Sequence, residues 1–158
     1  MDEPRWLTNA ELRAWRWLTA TMLMLPGHLE ESLQPHGLTF FEYSMMAGLS
    51  DAPQRTLAMS QLAQIANGSL SRLSHAARRL EQRDLIERHP FPEDGRVTLA
   101  TLTDEGQALL ATAAPDHVAS VRRTVFDLLT PAQVTQLEQI FAPIVRDLNP
   151  DGPPWQRP

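Results

Sequence analysis

The residues Asp94-Gly95-Arg96 combine a carboxylate, a glycine and a guanidinium in a tight-turn sequence. Glycine allows the positive φ that a short hairpin needs, and Asp94 can accept hydrogen bonds from the turn backbone or from Arg96. The tripeptide therefore predicts a hairpin tip that presents one cation, a device suited to the minor groove of DNA. A solvated hairpin with an idle charge is the alternative, and the tripeptide by itself favours that alternative.

Two short helices are predicted upstream of this turn. Residues Thr56 to Ala66 carry apolar side chains at helical spacing, and the pattern stops at Asn67-Gly68. Both of those residues tolerate the left-handed conformation that ends helices, and Ser69 can cap a new helix through its hydroxyl. The second helix is expected from about Leu70 to Gln82, so the sequence predicts two helices that meet at a glycine turn.

The second helix has one apolar and one polar face. Because successive residues of a helix are rotated by about 100°, four apolar residues fall on one stripe: Leu70, Leu73, Ala77 and Leu80. The opposite face is centred on His75 and flanked by Ser71, Arg72, Arg79 and Gln82. Arginine can bond guanine edges bidentately, and serine and histidine can reach bases or phosphates, so this face is typical of a recognition helix. A solvated amphipathic face is the simpler alternative.

Two short strands follow the second helix. Leu85 to Arg88 and Val97 to Leu102 have the composition of strands. Pro90 and Pro92 restrict the first to an edge or to its opening residues, because proline cannot donate to a ladder. The order is helix, glycine turn, helix, strand, arginine-tipped turn, strand. That order predicts a winged helix-turn-helix with a small β-hairpin wing in a mainly α-helical chain.

Five segments between Met59 and Gly106 are typical of one family: Met59-Ser60-Gln61-Leu62-Ala63, Ser71-Arg72-Leu73-Ser74-His75, Arg78-Arg79-Leu80-Glu81, Asp94-Gly95-Arg96 and Leu102-Thr103-Asp104-Glu105-Gly106. Taken jointly, they resemble the MarR family of bacterial transcriptional regulators, and the element order extends the likeness from about Leu7 to Leu148. The resemblance implies an all-helical obligate dimer with two wings. It also implies pseudo-palindromic operator DNA as partner, often released when a small phenolic or anionic ligand binds.

Three Leu-Thr pairs predict helix starts. Thr8 is followed by Glu11 and Thr39 by Glu42, each at the spacing of a capping box, and Thr130 precedes a proline at the first helical position. The helix after Thr8 has an apolar stripe at three- and four-residue spacing, although Pro26-Gly27 must kink or interrupt it. The stripe consists of Leu12, Trp15, Leu18, Met22, Leu25, Leu29 and Leu33.

The last helix carries a second stripe, formed by Val134, Leu137, Ile140, Ile144 and Leu148. Two long striped helices left open would form an apolar patch that monomers seldom show. We therefore expect the N- and C-terminal helices of two chains to pack around a two-fold axis as dimerisation helices. The alternative is a monomer that folds both stripes onto its own core.

These features divide the chain into four parts within one domain. They are an N-terminal dimerisation helix (1–36), a winged helix-turn-helix region (37–102), C-terminal dimerisation helices (103–148) and a disordered proline-rich tail (149–158). The length of 158 residues suits a single domain of ordinary size. The chain contains no cysteine, which excludes disulfides and thiol-based sensing.

Charge is unevenly distributed. The net charge is −5, yet residues 69–96 hold six arginines against five acids, while the rest holds eight against fourteen. A locally basic surface on an acidic protein suits the search for one operator, because phosphate contacts supply sequence-independent affinity. No run of about 18 apolar residues occurs in this sequence, and its acidic N-terminal segment lacks the charged and apolar regions typical of a signal peptide. We expect a cytoplasmic protein without membrane contact.

Other chemistry is weakly marked. The sequence contains no HExxH, nucleophile elbow or phosphate-binding glycine loop, so an enzyme is not expected. His28, Glu31 and His36 are a minor candidate for a metal site, but we expect neither metal nor cofactor. The resemblance implies an effector crevice between the dimer helices and the winged region. The residues expected near that ligand are Trp15, Arg16, His36 and Tyr43, and ordinary core packing is the alternative for the aromatic ones.

The sequence therefore predicts a dimeric, sequence-specific DNA-binding transcriptional regulator, most simply a repressor. The residues expected to contact DNA are Ser69, Ser71, Arg72, His75, Arg79, Asp94 and Arg96. The alternative is a helical dimer that acts as a protein interaction module and no longer reads DNA. Aromatic or aliphatic anchors would then be expected on the second helix, where the sequence instead has polar and basic residues.

Overall fold

The computed structural model describes residues 4–66 and 68–149. Its helices are α1 (Asn9–Leu33), α2 (Phe40–Ser50), α3 (Met59–Ile65), α4 (Leu70–Glu81), α5 (Asp104–Thr124) and α6 (Pro131–Leu148). Its strands are β1 (Thr56–Ala58), β2 (Ile86–Phe91) and β3 (Asp94–Leu102). Short 3₁₀ turns occupy Gln34–His36, Pro53–Arg55 and Phe126–Leu128. The fold is thus mainly α-helical with a small antiparallel sheet, as predicted.

The helices begin where the capping signals place them. Thr8, Thr39 and Thr130 each accept a hydrogen bond from the backbone N–H three residues on, and the side chain at that position bonds back to the threonine N–H. Ser69 accepts from the N–H of Arg72 at 3.2 Å and caps α4. These reciprocal bonds satisfy donors that a helix start otherwise leaves open. Helix α1 then continues through Pro26 without interruption.

The sheet has β3 in its centre, with β1 and β2 as antiparallel edges. Strand β1 was not predicted. The prediction of helix from Thr56 is wrong for residues 56–58, which pair with Leu99–Thr101 of β3, and the helix starts at Met59. The hydroxyls of Thr56 and Thr101 lie 2.8 Å apart across this pair. Strand β2 extends beyond the predicted Arg88 to Phe91, and its edge position accommodates Pro90.

The core lies where α2, α3 and α4 meet the sheet and α5. Its fully buried side chains include Leu33, Met45, Met46, Leu49, Leu62, Leu73, Leu80 and Ile86, each contributing roughly 1.5–3 kcal/mol of burial free energy. Gly106 lets α5 approach the sheet, because a Cβ there would lie 2.1 Å from the carbonyl oxygen of Leu85.

The glycine turn between α3 and α4 has a different cause from the one expected. Gly68 does not adopt a positive φ, and Asn67 lies outside the described residues. A Cβ on Gly68 would instead lie 2.6 Å from two ring carbons of Phe41. Glycine is therefore required here by close packing against an aromatic ring rather than by a left-handed backbone.

The terminal helices expose their apolar side chains. Helix α1 packs on α5 over part of its length, whereas α6 makes only sparse contact with the rest of the described chain. Among the described residues, no side chain of α6 is buried, and Ile140 is 58% exposed. On α1, Trp17 and Leu23 are 78% and 77% exposed. The predicted proline-rich tail lies outside the described residues, apart from Asn149.

Candidate nucleic-acid interface

Helix α4 presents the predicted polar face to solvent. The side chains of Ser71, Arg72, His75, Arg79 and Gln82 are all exposed, while Leu73, Ala76, Ala77 and Leu80 are buried. One member of the predicted apolar stripe was wrong: Leu70 is 62% exposed. As the first residue of α4, it extends back toward the helix N-terminus, beyond the core that begins at Leu73.

Arg72 lies against an aromatic ring of α2. Its guanidinium carbon is 4.2 Å from the centroid of the Phe41 ring, which is within the range of a cation–π interaction. Phe41 itself is only 7% exposed, because it packs in the core. The guanidinium of the arginine predicted to read bases therefore lies against a buried aromatic ring.

Arg79 is held by the neighbouring residue of α2. Its Nε–H donates to Oε1 of Glu42 at 2.8 Å, and Glu42 is 4% exposed. The other carboxylate oxygen accepts from the N–H and hydroxyl of Thr39, each at 2.9 Å. Burial raises the pKa of Glu42, but the hydrogen bonds from Thr39 and Arg79 outweigh it and hold the pKa below its ordinary value of 4.5. The carboxylate is therefore ionised at neutral pH.

The wing differs from the predicted turn in its backbone. The two-residue turn is Pro92-Glu93, since Phe91 pairs with Asp94. Pro90 pairs with Thr98, so residues 95–97 of β3 are accommodated as a bulge. The expectation that Gly95 supplies a positive φ is wrong, because Pro92 and Glu93 form the turn, two residues earlier than Asp94-Gly95.

Asp94 and Arg96 nonetheless form the predicted unit. Nε and Nη2 of Arg96 donate to the two carboxylate oxygens of Asp94 at 3.0 and 3.1 Å, and the Arg96 backbone N–H donates to Oδ1 at 3.1 Å. The Arg96 side chain is 91% exposed. Its side-chain hydrogen bonds lower the pKa of Asp94 below 3.8, and Asp94 raises the pKa of Arg96. The wing therefore carries an oriented cation on the bulge of β3.

Two of the four residues expected near a ligand, His36 and Tyr43, contact consecutive residues of α5. His36 Nε2 is 2.8 Å from Oδ2 of Asp116, and the ring centroid of Tyr43 is 4.4 Å from that of His117. The ring centroid of Phe40 lies 5.9 Å from that of the same histidine. Burial lowers the pKa of His117 and, with the contribution of Asp51, raises that of Tyr43. The described residues provide no hydrogen-bond partner for Nδ1 of His117.

The other two ligand candidates are remote in a single chain. Trp15 and Arg16 lie in the first half of α1, about 25 Å from its end at the rise of an α-helix. Trp15 is 52% exposed, and Arg16 lines a shallow cavity of about 320 Å³ with Arg13, Trp17 and Ala20. The structure thus does not assemble the four predicted residues into one site.

The minor metal candidate is also not assembled. His28 lies 3.8 Å from Glu31, but His36 is engaged by Asp116 of α5 instead. Within residues 4–66 and 68–149, no group of three or more histidine, aspartate or glutamate side chains could hold a metal ion. None of the helices within these residues combines the length and the hydrophobicity that a membrane-spanning segment needs.

Sequence reasoning missed Phe41 and Glu42 as parts of this surface. Glu42 was recognised as the acid of a capping box, and its bond to Thr39 is present. Its second role was not visible, because Arg79 is 37 residues away in the chain. One signal was available: a capping glutamate directly after two phenylalanines lies on the buried side of its helix, where a carboxylate needs a cationic partner.

The fold and the surface together define a winged helix-turn-helix DNA-binding protein. Two solved structures from Streptomyces coelicolor are similar to the chain over nearly its whole length. Sco3205, a MarR family transcriptional regulator in complex with DNA, is 41% identical, with a TM-score of 0.88, over 99% of this chain and 100% of its own. AbsC, a MarR family transcriptional regulator, is 40% identical, with a TM-score of 0.85, over 92% and 98%.

A curated relative gives the same class. The HTH-type transcriptional regulator MhqR of Bacillus subtilis is 29% identical over 118 residues, which cover 73% of this chain and 78% of its own length. No family model matches the chain. On the identity and coverage of the Streptomyces proteins, the chain belongs to the MarR family of transcriptional regulators. It is therefore a DNA-binding regulator and, as expected from the sequence, not an enzyme.

Proposed function

We propose that this regulator is a homodimeric repressor of a pseudo-palindromic operator, with α4 in the major groove and Arg96 of the wing in the minor groove. The observation that carries the proposal is the polar outer face of α4, where Ser71, Arg72 and His75 are all exposed in its first two turns. Residues near the N-terminus of a recognition helix are the ones that contact base edges. The oriented guanidinium of Arg96 supplies a second contact of the kind that narrow minor grooves attract.

The terminal helices support the homodimer. Their exposed side chains include Trp17, Leu23, Ile140 and Leu148, and the last is 78% exposed. An exposed apolar surface of this kind marks a protein interface. A second copy is the occupant that suits it, because two-fold pairing would place two α4 helices for half-sites about 10 bp apart or a multiple of that spacing.

Random-site selection with the purified protein tests this function. We expect an enriched consensus of two inverted half-sites. Arg72→Ala should lose about 1–3 kcal/mol of binding free energy and relax the preference at particular base pairs of each half-site. Enrichment of no motif would refute the proposed operator and favour the protein interaction module. A consensus unchanged by Arg72→Ala, with affinity lower on all sequences, would make Arg72 a phosphate contact.

We also propose that a small phenolic or anionic ligand releases the operator. The support is the aromatic junction of Phe40, Tyr43 and His117, which brings three rings together and leaves Nδ1 of His117 without a partner among the described residues. Titration of the protein–operator complex with benzoate and its hydroxylated derivatives should lower DNA affinity. The variant Tyr43→Ala should reduce that response. A response that survives the substitution would exclude this junction, and no release by any compound of the class would refute the ligand.

A further inference from the structure

The first turn of α2 contacts two of the three arginines of α4. Consecutive residues of that turn hold the two arginines: Phe41 lies 4.2 Å beneath the guanidinium of Arg72, and Glu42 accepts from Nε of Arg79 at 2.8 Å. Phe41 and Glu42 are 7% and 4% exposed, whereas both arginines are exposed. Two buried groups thus contact two exposed cations on the face proposed to bind DNA.

We infer that Phe41 and Glu42 are positioning residues, which set the poses of Arg72 and Arg79 for DNA and thereby the selectivity of binding. This inference rests on the proposed function. A free arginine loses much side-chain freedom when it binds, and ordering it before binding removes that cost. Both contacts leave N–H groups of the arginines available for DNA. Glu42 accepts only the Nε–H of Arg79, and the Phe41 ring has no oxygen or nitrogen atom that could accept the N–H groups of Arg72.

Glu42 has a second effect, which acts on nonspecific binding. An ionised, buried carboxylate beside Arg79 offsets the attraction of this arginine for any phosphate. The bond therefore restricts Arg79 to contacts that its fixed pose can reach. Release of Arg79 from Glu42 should weaken binding to the operator. At the same time, binding to unrelated DNA should stay the same or become stronger. A simple loss of structure would weaken both.

The variant Glu42→Gln separates these effects. The amide oxygen of glutamine can still accept hydrogen bonds from Thr39. The other carboxylate oxygen, which accepts the Nε–H of Arg79, is replaced by an amide NH₂ group that can only donate. We expect operator affinity to fall about three- to tenfold for each of the two half-sites of the proposed operator, the factor for ordering one long side chain. Affinity for scrambled DNA should stay equal or rise, with a steeper salt dependence. Glu30→Gln is the matched control, because Glu30 accepts from the N–H of Phe40 at the same helix start and is not bonded to α4.

Fluorescence anisotropy with operator and scrambled duplexes measures both affinities, after urea unfolding has established that each variant is folded. In an Arg79→Ala background, Glu42→Gln should no longer lower the ratio of operator to scrambled affinity. An unchanged ratio in folded Glu42→Gln would overturn the inference. The inference would also be overturned if Glu30→Gln lowered the ratio as much as Glu42→Gln, or if Glu42→Gln lowered the ratio equally in the Arg79→Ala background.

Phe41→Leu gives an independent test of the contact between Phe41 and Arg72. It keeps an apolar side chain in the core but removes the ring beneath Arg72. We expect it to relax the same base pairs as Arg72→Ala in random-site selection, with little further effect in the double variant. Relaxation at other base pairs would overturn the assignment of Phe41. A wild-type protein with no preference for any sequence would overturn the proposed function and this inference with it. A selective wild type with unchanged variants would overturn the inference alone.

Discussion

The wing offers the sharpest test of the proposed DNA contacts, because positioning and simple electrostatics predict opposite signs. Asp94 holds Arg96 through two side-chain hydrogen bonds and one backbone hydrogen bond. If Asp94 only added a negative charge near DNA, Asp94→Ala would strengthen binding. If it orients Arg96 toward the minor groove, the same substitution weakens binding. We expect it to weaken operator binding.

The size of the Arg96→Ala effect follows from counterion release. Each phosphate neutralised contributes about 0.9 to the slope of log affinity against log salt concentration. A dimer has two wings, so the slope should become shallower by about 1.8. Over a fourfold range of salt, from about 50 to 200 mM, this difference amounts to about a twelvefold change in the affinity ratio of wild type to variant. The deficit of Arg96→Ala should therefore be largest at low salt.

Operator titrations at four salt concentrations, with wild type, both single variants and the double variant, supply the measurement. The double variant should bind scarcely worse than Arg96→Ala, because Asp94 has no role left without the arginine. The pKa of Asp94 lies below 3.8, so neither effect should depend on pH between about 5.5 and 8. Tighter binding by Asp94→Ala at fixed salt would refute the positioning argument. Additive single effects would also contradict it.

The remaining predictions concern assembly, packing and pH. Sedimentation at micromolar concentration should show a dimer for the intact chain and monomer or aggregate after deletion of 130–158, because α6 is then missing; a stable intact monomer would contradict this. Gly106→Ala should lower the free energy of unfolding in urea by about 3 kcal/mol or more, since its Cβ would lie 2.1 Å from the Leu85 carbonyl oxygen. Gly95→Ala, with no described atom within 4 Å of the added Cβ, should change it by less than about 0.5 kcal/mol, and similar losses in both would refute the packing argument. Burial lowers the pKa of His117 below 6.5, so the unfolded chain binds the proton more readily and stability should fall as pH drops below about 6.5. His117→Phe should remove that part of the fall in urea unfolding at several pH values, and an identical pH profile would exclude this histidine.

Local signals predicted the helix starts, and non-local pairings were missed. Thr8, Thr39 and Thr130 act on residues three positions away, so their capping boxes could be inferred from the sequence. Strand β1 exists because Thr56 pairs with Thr101, 45 residues further on. A three-residue strand has too little periodicity of its own to be distinguished from the first turn of a helix.

The same division applies to the candidate interface. The exposed face of α4 followed from helical periodicity, and the Asp94–Arg96 unit from a separation of two residues. The bulge that carries Arg96 was not predictable, because it depends on how β2 and β3 align after Pro90. Phe41 explains both the glycine at position 68 and the support of Arg72, yet its ring meets them only after α2 and α4 pack.

The sparse contact between α6 and its own chain affects how the protein responds to its own abundance. An element that is buried by a partner is stabilised by mass action, so its folding depends on protomer concentration. In the dimer that we propose, both recognition helices reach the operator only when two chains have met. Below the dissociation constant of the dimer, promoter occupancy then varies with the square of the chain concentration. A twofold dilution of the protein by growth without new synthesis would therefore lower promoter occupancy about fourfold, which makes the state of the promoter sensitive to growth rate.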